Sequence, residues 1–269
     1  MTIRIGVIGC GGRMGRLLLR TILEDAACRL SGGVERVHSP EVGQDLGRLA
    51  GLETLGFKAT SDARSLVEES DAVIEFTSAE ATVHHAGLAA AARRAHVIGT
   101  TGLSEAQKSA IHRAAERTPI VLAANMSLGV TLLSALVERV ARSLDAGWDV
   151  EIVEMHHRMK ADAPSGTALA LGEAAARGRG VALAEVAQRG RDGISGPRRA
   201  GEIGFAALRG GDVVGEHRVV FAGMGERIEL AHIANDRAIF ARGAVRAARW
   251  AVGRKPGLYG IADVLGIER

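Results

Sequence analysis

The sequence predicts an α/β protein of two domains, a doubly wound parallel sheet joined to a second, α+β domain. Three observations predict it. Short apolar runs alternate with helical stretches over the first 126 residues. A glycine-rich turn separates the first apolar run from the first helix. After Asn125 the alternation gives way to one long helix and a group of strands broken by glycine turns.

In the first domain, Ile3 to Ile8 is apolar except for Arg4 and reads as a buried strand. Gly9 to Gly15 is the glycine-rich turn, Arg16 to Leu23 has helical spacing, and Leu30 to Val34 is a second strand. Residues 39 to 57 read as a loop with a short helix. Further strands are expected at Ala72 to Phe76, His96 to Ile98 and Pro119 to Leu122. Between them lie an alanine-rich helix from Glu80 to Ala92 and a helix that Ser104 opens as N-cap.

In the second domain, Ser127 to Leu144 is a long helix, Asp149 to His156 a strand, and Ser165 the start of another helix. Ile203 to Leu208, Val213 to Phe221 and Arg227 to Ile233 read as antiparallel strands, with turns at Gly210-Gly211-Asp212 and Gly223-Met224-Gly225. Ala174 to Gly201 is rich in Gly, Ala and Arg and is expected to hold a mobile loop. Asp236 to Val252 is a final helix, and the apolar tail Pro256 to Ile267 is expected to return to the first domain. The expected boundaries are therefore 1–126 plus 237–269 for one domain and 127–236 for the other, with hinges near residues 126 and 236.

The glycine turn reads Gly9-Cys10-Gly11-Gly12-Arg13-Met14-Gly15, a G-x-x-G-x-x-G variant of the dinucleotide fingerprint. Between a strand and a helix, such a turn lets the backbone approach a pyrophosphate and aims the helix N-terminus at it. This marks the first domain as a Rossmann domain. Glu35 lies 20 residues beyond Gly15, where an acid reaches the adenosine ribose. Arg36 follows, and an arginine there can hold a 2′-phosphate. The pair leaves NADH and NADPH both open. Gly99-Thr100-Thr101 and Ala123-Ala124-Asn125-Met126 follow strands at the carboxyl edge of the sheet, where ligands bind. On spacing alone they are equally readable as ordinary turns and helix caps.

The segment Glu154 to Leu169 is rich in chemistry-bearing groups. His156, His157 and Lys160 lie within five residues, just ahead of Pro164-Ser165-Gly166-Thr167 at a fresh helix N-terminus. Histidine and lysine can donate protons, and the helix start suits a carboxylate. Lysine is scarce: Lys58, Lys108, Lys160 and Lys255 are four of the 34 basic residues. Where arginine dominates, a lysine suits a group that must release a proton. A polar strand-to-helix loop is the plain alternative on residue types.

Composition excludes several function classes. The 47% hydrophobic and 24% charged content is that of a globular protein, and no apolar stretch reaches the length of a membrane span. The net charge of +3 is spread without a basic run, so neither nucleic acid nor a membrane is an expected partner. Cys10 and Cys28 have no metal or disulfide spacing, and no signal-peptide pattern opens the chain, so a cytoplasmic location is expected.

The run His156-His157-x-x-Lys160-x-Asp162-Ala163-Pro164-Ser165-Gly166-Thr167-Ala168 resembles the signature of the dihydrodipicolinate reductase family. So do Gly9 to Arg16, Glu35-Arg36, Phe76-Thr77, Gly99 to Gly102, Ala123 to Asn125, Glu202 to Phe205, Gly211-Asp212 and Val214 to His217, nearly spanning the chain. The resemblance implies reduction of 4-hydroxy-tetrahydrodipicolinate to tetrahydrodipicolinate with loss of water, in lysine biosynthesis via diaminopimelate. It implies His156 as the acid/base and Lys160 as a second proton donor. His157 would contact the small dicarboxylate substrate, and Gly166 and Thr167 would bind its carboxylate. Gly9 to Met14, Glu35, Arg36, Gly99 to Thr101 and Ala123 to Met126 would hold NADH or NADPH, with no metal. It also implies a homotetramer formed through the second-domain sheets. Met159 stands where some members carry a polar or basic residue. Two other readings are a different Rossmann oxidoreductase and a silent nucleotide-binding sensor; the His156 to Ala168 run argues against both.

Overall fold

The structure, a computed structural model, describes residues 2–267. It divides into two compact units, Met1–Leu128 with Ala238–Arg269, and Gly129–Arg237.

The first unit is a parallel six-stranded sheet of Rossmann type, in the order β11-β5-β4-β3-β1-β2. Its strands are β1 (Ile3–Ile8), β2 (Cys28–Val34), β3 (Ala72–Glu75), β4 (Ala95–Ile98), β5 (Pro119–Leu122) and β11 (Gly257–Tyr259). Every side chain of β3 and β4 is buried, because helices cover both faces of the sheet. The covering helices include α1 (Arg13–Glu24), α3 (Ala63–Glu69), α4 (Ala79–Ala92), α5 (Glu105–Ala115) and α9 (Ala238–Ala251), with a single turn, α2 (Leu46–Leu49), beside α1. Helix α1 begins three residues ahead of the expected start, since Gly12 serves as its N-cap. The apolar tail forms β11, parallel to β5, and α10 (Ile261–Leu265).

Helix α9 lies on β3, β4, β5 and α1. It comes close because of Gly243: a Cβ there would stand 1.8 Å from the Met126 carbonyl oxygen.

The second unit is a mixed five-stranded sheet, in the order β10-β9-β6-β8-β7, packed against α6 (Leu128–Ser143) and α7 (Gly166–Arg179). Strand β6 (Asp149–His156) has a strictly alternating burial, so Val150, Ile152, Glu154 and His156 share the core-facing side. β7 (Ala187–Gln188) is an edge strand that follows the single turn α8 (Leu183–Val186).

One expectation is corrected here. β8 (Ile203–Arg209) was expected to be antiparallel within the last group of strands, but it pairs in parallel with β6 and β7. The chain leaves β6 through α7 and re-enters the sheet from the same end, as a β-α-β crossover requires. Only β9 (Gly215–Ala222) and β10 (Arg227–Ala234) form an antiparallel hairpin, and β9 also runs antiparallel to β6. The Gly210-Gly211-Asp212 turn therefore joins no hairpin. It crosses the end of β6, where the Gly210 amide donates to His156 O (3.0 Å) and the Arg158 amide donates to Gly211 O (3.1 Å).

The stretch expected as a loop from Ala174 begins as helix, α7 continuing to Arg179. Its remainder is tied to β6 by Arg198, which donates to Glu151 (2.9 Å), to Asp149 (2.6 Å) and to the Val150 carbonyl (3.1 Å).

Gly243→Ala should lower the unfolding free energy by about 1–3 kcal/mol, the usual cost of overpacking. A denaturant melt checks this; an unchanged midpoint would show that α9 shifts freely.

Candidate active site

The nucleotide end of the first unit follows from the topology. Strand order reverses direction between β1 and β3, and in open α/β sheets the crevice forms at such a switch point. Gly9, just after β1, has φ +79, which glycine tolerates. A Cβ on Gly15 would lie 2.0 Å from the Gly9 carbonyl oxygen, so the helix can begin close to the turn only with glycine there. Glu35 reaches back to the loop: its Oε1 accepts from the Gly11 amide at 2.9 Å. A cavity of about 580 Å³ opens here, lined by Gly9, Gly12, Glu35, Arg36, Thr77 and His85 among others. Bare glycine backbone, a helix N-terminus, an acid and an exposed arginine fit the pyrophosphate and adenosine of a dinucleotide.

Other expected cofactor residues divide. Arg13 is exposed on the first turn of α1, whereas Met14 packs partly into the core. Cys10 is fully buried, and burial, helped by nearby Glu35, pushes its thiol up to about 12; its backbone alone belongs to the loop. Gly99-Thr100-Thr101 and Ala123-Ala124-Asn125-Met126 do not line the cavity; they follow β4 and β5 at the same carboxyl edge. Thr100 Oγ1 accepts from the Thr77 amide (3.0 Å) and from the Thr82 hydroxyl (2.9 Å). Asn125 Oδ1 accepts from the Ser127 amide just before α6, and the Met126 side chain is buried in the core.

The second unit gathers the His156 segment around one carboxylate. Glu154 is 1% exposed and sits two residues before His156 on the buried face of β6. His156 Nδ1 meets Glu154 Oε2 at 2.6 Å, Arg209 donates to both oxygens at 2.8 and 2.9 Å, and the Ser165 amide donates to Oε1 at 3.0 Å. Burial pushes the Glu154 carboxyl up, but the bonds from Arg209, His156 and Ser165 outweigh it, and the group lies below the ordinary carboxylate range. An ionised Glu154 fixes the proton of this bond on Nδ1, leaving Nε2 as the working nitrogen. That nitrogen lies against bare backbone, since a Cβ on Gly215 would stand 3.0 Å from it.

Ser165 caps α7 by accepting from the Ala168 amide (3.1 Å) and also meets His217 Nε2 at 3.1 Å. His217 packs edge-on against His156, with ring centroids 5.1 Å apart. Gly166 and Thr167 form the first turn of α7, where the helix dipole is positive. A Cβ on Gly166 would meet nothing within 4 Å, so this end is open. Lys160 Nζ donates to Asp162 Oδ1 at 2.8 Å, and Arg209 donates to the Asp162 carbonyl at 2.6 Å. His157 Nε2 lies 3.3 Å from an Arg237 nitrogen. Met159 is 81% exposed.

The structure thus joins His156 and Lys160 through Glu154, Arg209 and Asp162. It adds Glu154, Arg209 and His217, to which the residues alone gave no role, and it ties Ser165, expected as the helix start, to Glu154 and His217. Glu154 was findable, as it shares a strand face with His156 at a spacing of two. Arg209 carried no such signal, because it reaches Glu154 across a parallel pairing that the sequence reading did not expect.

Comparison with known proteins decides the family. The family described as "Dihydrodipicolinate reductase, N-terminus" matches residues 3–126, and "Dihydrodipicolinate reductase, C-terminus" matches residues 129–265. The chain belongs to the dihydrodipicolinate reductase family. It is 60% identical to the 4-hydroxy-tetrahydrodipicolinate reductase of Parvibaculum lavamentivorans, over 99% of this chain and 98% of the relative. It is 55% identical to that of Methylocella silvestris, over 98% and 97%. Among solved structures, a dipicolinate-bound dihydrodipicolinate reductase from Paenisporosarcina sp. TG-14 has the same fold, with a TM-score of 0.77 and 24% identity over 98% of this chain and 99% of that one. An amine dehydrogenase from Mycobacterium smegmatis shares the architecture at a TM-score of 0.59 and 16% identity, covering 97% and 95%. Among the described residues, no helix is long and apolar enough to cross a membrane.

His217 makes the site acid-sensitive. Burial, helped by neighbouring His156, lowers it from 6.5 to about 4. Between those values the unfolded chain binds a proton that the folded chain does not, so stability is full above pH 6.5 and falls as pH drops toward 4. The loss should amount to roughly 2–4 kcal/mol at 1.36 kcal/mol per pH unit. His217→Asn should flatten the decline in melting temperature over this window; a parallel decline in both proteins would refute the assignment.

Proposed function

We propose that this chain catalyses the NADH- or NADPH-dependent reduction of 4-hydroxy-tetrahydrodipicolinate to tetrahydrodipicolinate in lysine biosynthesis via diaminopimelate. The observation that carries the reading is the 60% identity to a reductase of that name along nearly the whole chain. The site is built to match: a proton-donating histidine with a fixed tautomer beside an open helix N-terminus suits reduction of a cyclic imine diacid. One hydride and one proton enter, and water leaves with the 4-hydroxyl oxygen.

The pyridine nucleotide supplies the hydride when bound. The chain's own groups do the rest. Gly9, Cys10, Gly11, Gly12, Arg13 and Met14 present backbone and helix N-terminus to the pyrophosphate. Glu35 would hold the ribose hydroxyls, and Arg36 would hold a 2′-phosphate where one is present. Gly99 to Thr101 and Ala123 to Met126, at the carboxyl edge of the sheet, would border the nicotinamide. Gly166 and Thr167 hold a substrate carboxylate at the start of α7, and His157 adds a donor beside Arg237. His156 Nε2 transfers the proton while Glu154 steadies the ring, and Lys160 is the second proton donor. In this reading residues 127–236 bind substrate and assemble the oligomer, while 1–126 with 237–269 bind the nucleotide.

A cytoplasmic homotetramer belongs to the same reading. Leu208 on β8, Ile228 and Ile233 on β10 are 50%, 37% and 58% exposed, apolar surface that an interface would cover. Light scattering on the purified protein should return four times the mass of one chain; a monomer would remove the tetramer from the reading.

The decisive assay feeds the unstable substrate from its synthase and follows NADH and NADPH oxidation in parallel. Oxidation of neither cofactor would refute the function. His156→Gln should lower kcat by about 10²–10⁴-fold, the range of general acid catalysis, with cofactor affinity retained. Near-normal turnover in that variant would exclude His156 as the acid.

A further inference from the structure

The first unit contains a second buried carboxylate that the reaction does not use. Glu75 is the last residue of β3 and is fully buried, at the switch point beneath the nucleotide cavity. Its Oε2 accepts from the Thr77 hydroxyl at 2.6 Å and meets His85 Nδ1 at 2.9 Å. Its Oε1 lies 2.9 Å from Nε2 of His96, a fully buried side chain on β4, in a close contact rather than an aligned hydrogen bond. Burial opposes ionisation, yet the two histidines outweigh it and the carboxyl lies below its ordinary range. An ionised group with no water around it is costly unless each oxygen has a fixed partner.

Both partners on Oε2 line the 580 Å³ cavity. Thr77 also supports the loop that follows β4, since its amide donates to Thr100 Oγ1 at 3.0 Å. It further braces the glycine turn, because a Cβ on Gly9 would stand 3.0 Å from Thr77 Cγ2. His85, bonded through Nδ1, has its ring orientation set from beneath the cavity.

We propose that Glu75 is the positioning residue of the dinucleotide cavity: braced by His96, its carboxylate fixes the rotamers of the two cavity-lining side chains Thr77 and His85. A neutral residue at 75 would fill a similar volume but would hold the Thr77 hydroxyl and the His85 ring less firmly than the carboxylate does. The cost then falls on cofactor binding and not on proton transfer. The inference rests on the reading that this cavity takes a pyridine dinucleotide.

A double-mutant cycle tests it in the full-length protein, with Glu75→Gln, Thr77→Val and the pair. NADH and NADPH binding is measured by calorimetry, and kcat and both KM values by the coupled assay. Each single variant should raise Kd and KM for the cofactor roughly five- to tenfold, with kcat and the KM for the diacid within about twofold. The double variant should be no worse than Glu75→Gln, because the carboxylate acts on the cofactor through Thr77 and His85. Singles whose effects multiply, an unchanged cofactor KM, or an equal fall in kcat would overturn the proposal. If Glu75→Gln does not fold, Thr77→Val and His85→Asn replace it in the cycle, and independent effects of the two would be equally fatal. A wild-type chain that binds neither NADH nor NADPH would sink the cavity's assignment itself, a result distinct from any failure among the variants.

Discussion

Four donors converge on the two oxygens of Glu154: the His156 ring, two Arg209 nitrogens and the Ser165 amide. Each bond to a charged group of this kind contributes about 1.5–3 kcal/mol, and stranding a buried charge costs about 3–5 kcal/mol. Losing any one of the four therefore leaves the buried charge less well compensated. The four come from β6 itself, from β8 and from the residue that caps α7. One anion thus sets the register of the strand that carries the histidine, the start of the helix with the positive dipole, and, through Arg209 and Asp162, the loop that carries Lys160. Geometry for the chemistry and stability of the second sheet's core are the same requirement there.

The first unit repeats the device with different partners. Glu75 ends a buried strand and binds histidines, as Glu154 does near the end of β6. In both, the buried face of a strand carries a carboxylate at or near its C-terminal end. The interior then anchors polar groups that the adjacent loop alone would leave loose. A charge in such a place tolerates little repacking, since its partners must shift together.

Much of this organisation is legible in the residues. Strands β1, β5 and β6 match their expected ranges, because each is an apolar or alternating run closed by a clear break. Gly9 to Gly15, with its strand before and helix after, announces the nucleotide turn. The pairing of β8 is not legible: strand direction depends on how α7 packs, and short-range pattern carries no record of it. Helix α3 escapes notice because its seven residues bury only Leu66 and Val67, too few for a periodic signal. The roles of Arg209 and His217 are hidden for a related reason. Each lies more than 50 residues from its partner, and an arginine or histidine in a strand is unremarkable until the register is known.

Strand β11 pairs with β5, and α9 covers β3, β4 and β5, although both lie more than 100 residues further along the chain. On a ribosome the first unit emerges first, yet it lacks its edge strand and a helix of its core until the second unit has been made. The second unit is contiguous, Gly129–Arg237, and can close as soon as it has left the exit tunnel. The order of folding in the cell should thus invert the order of synthesis. Until α9 and β11 have been made, the unfinished sheet presents an open edge at β5 and bare apolar surface where α9 will sit, the state in which a nascent chain is most in need of a chaperone.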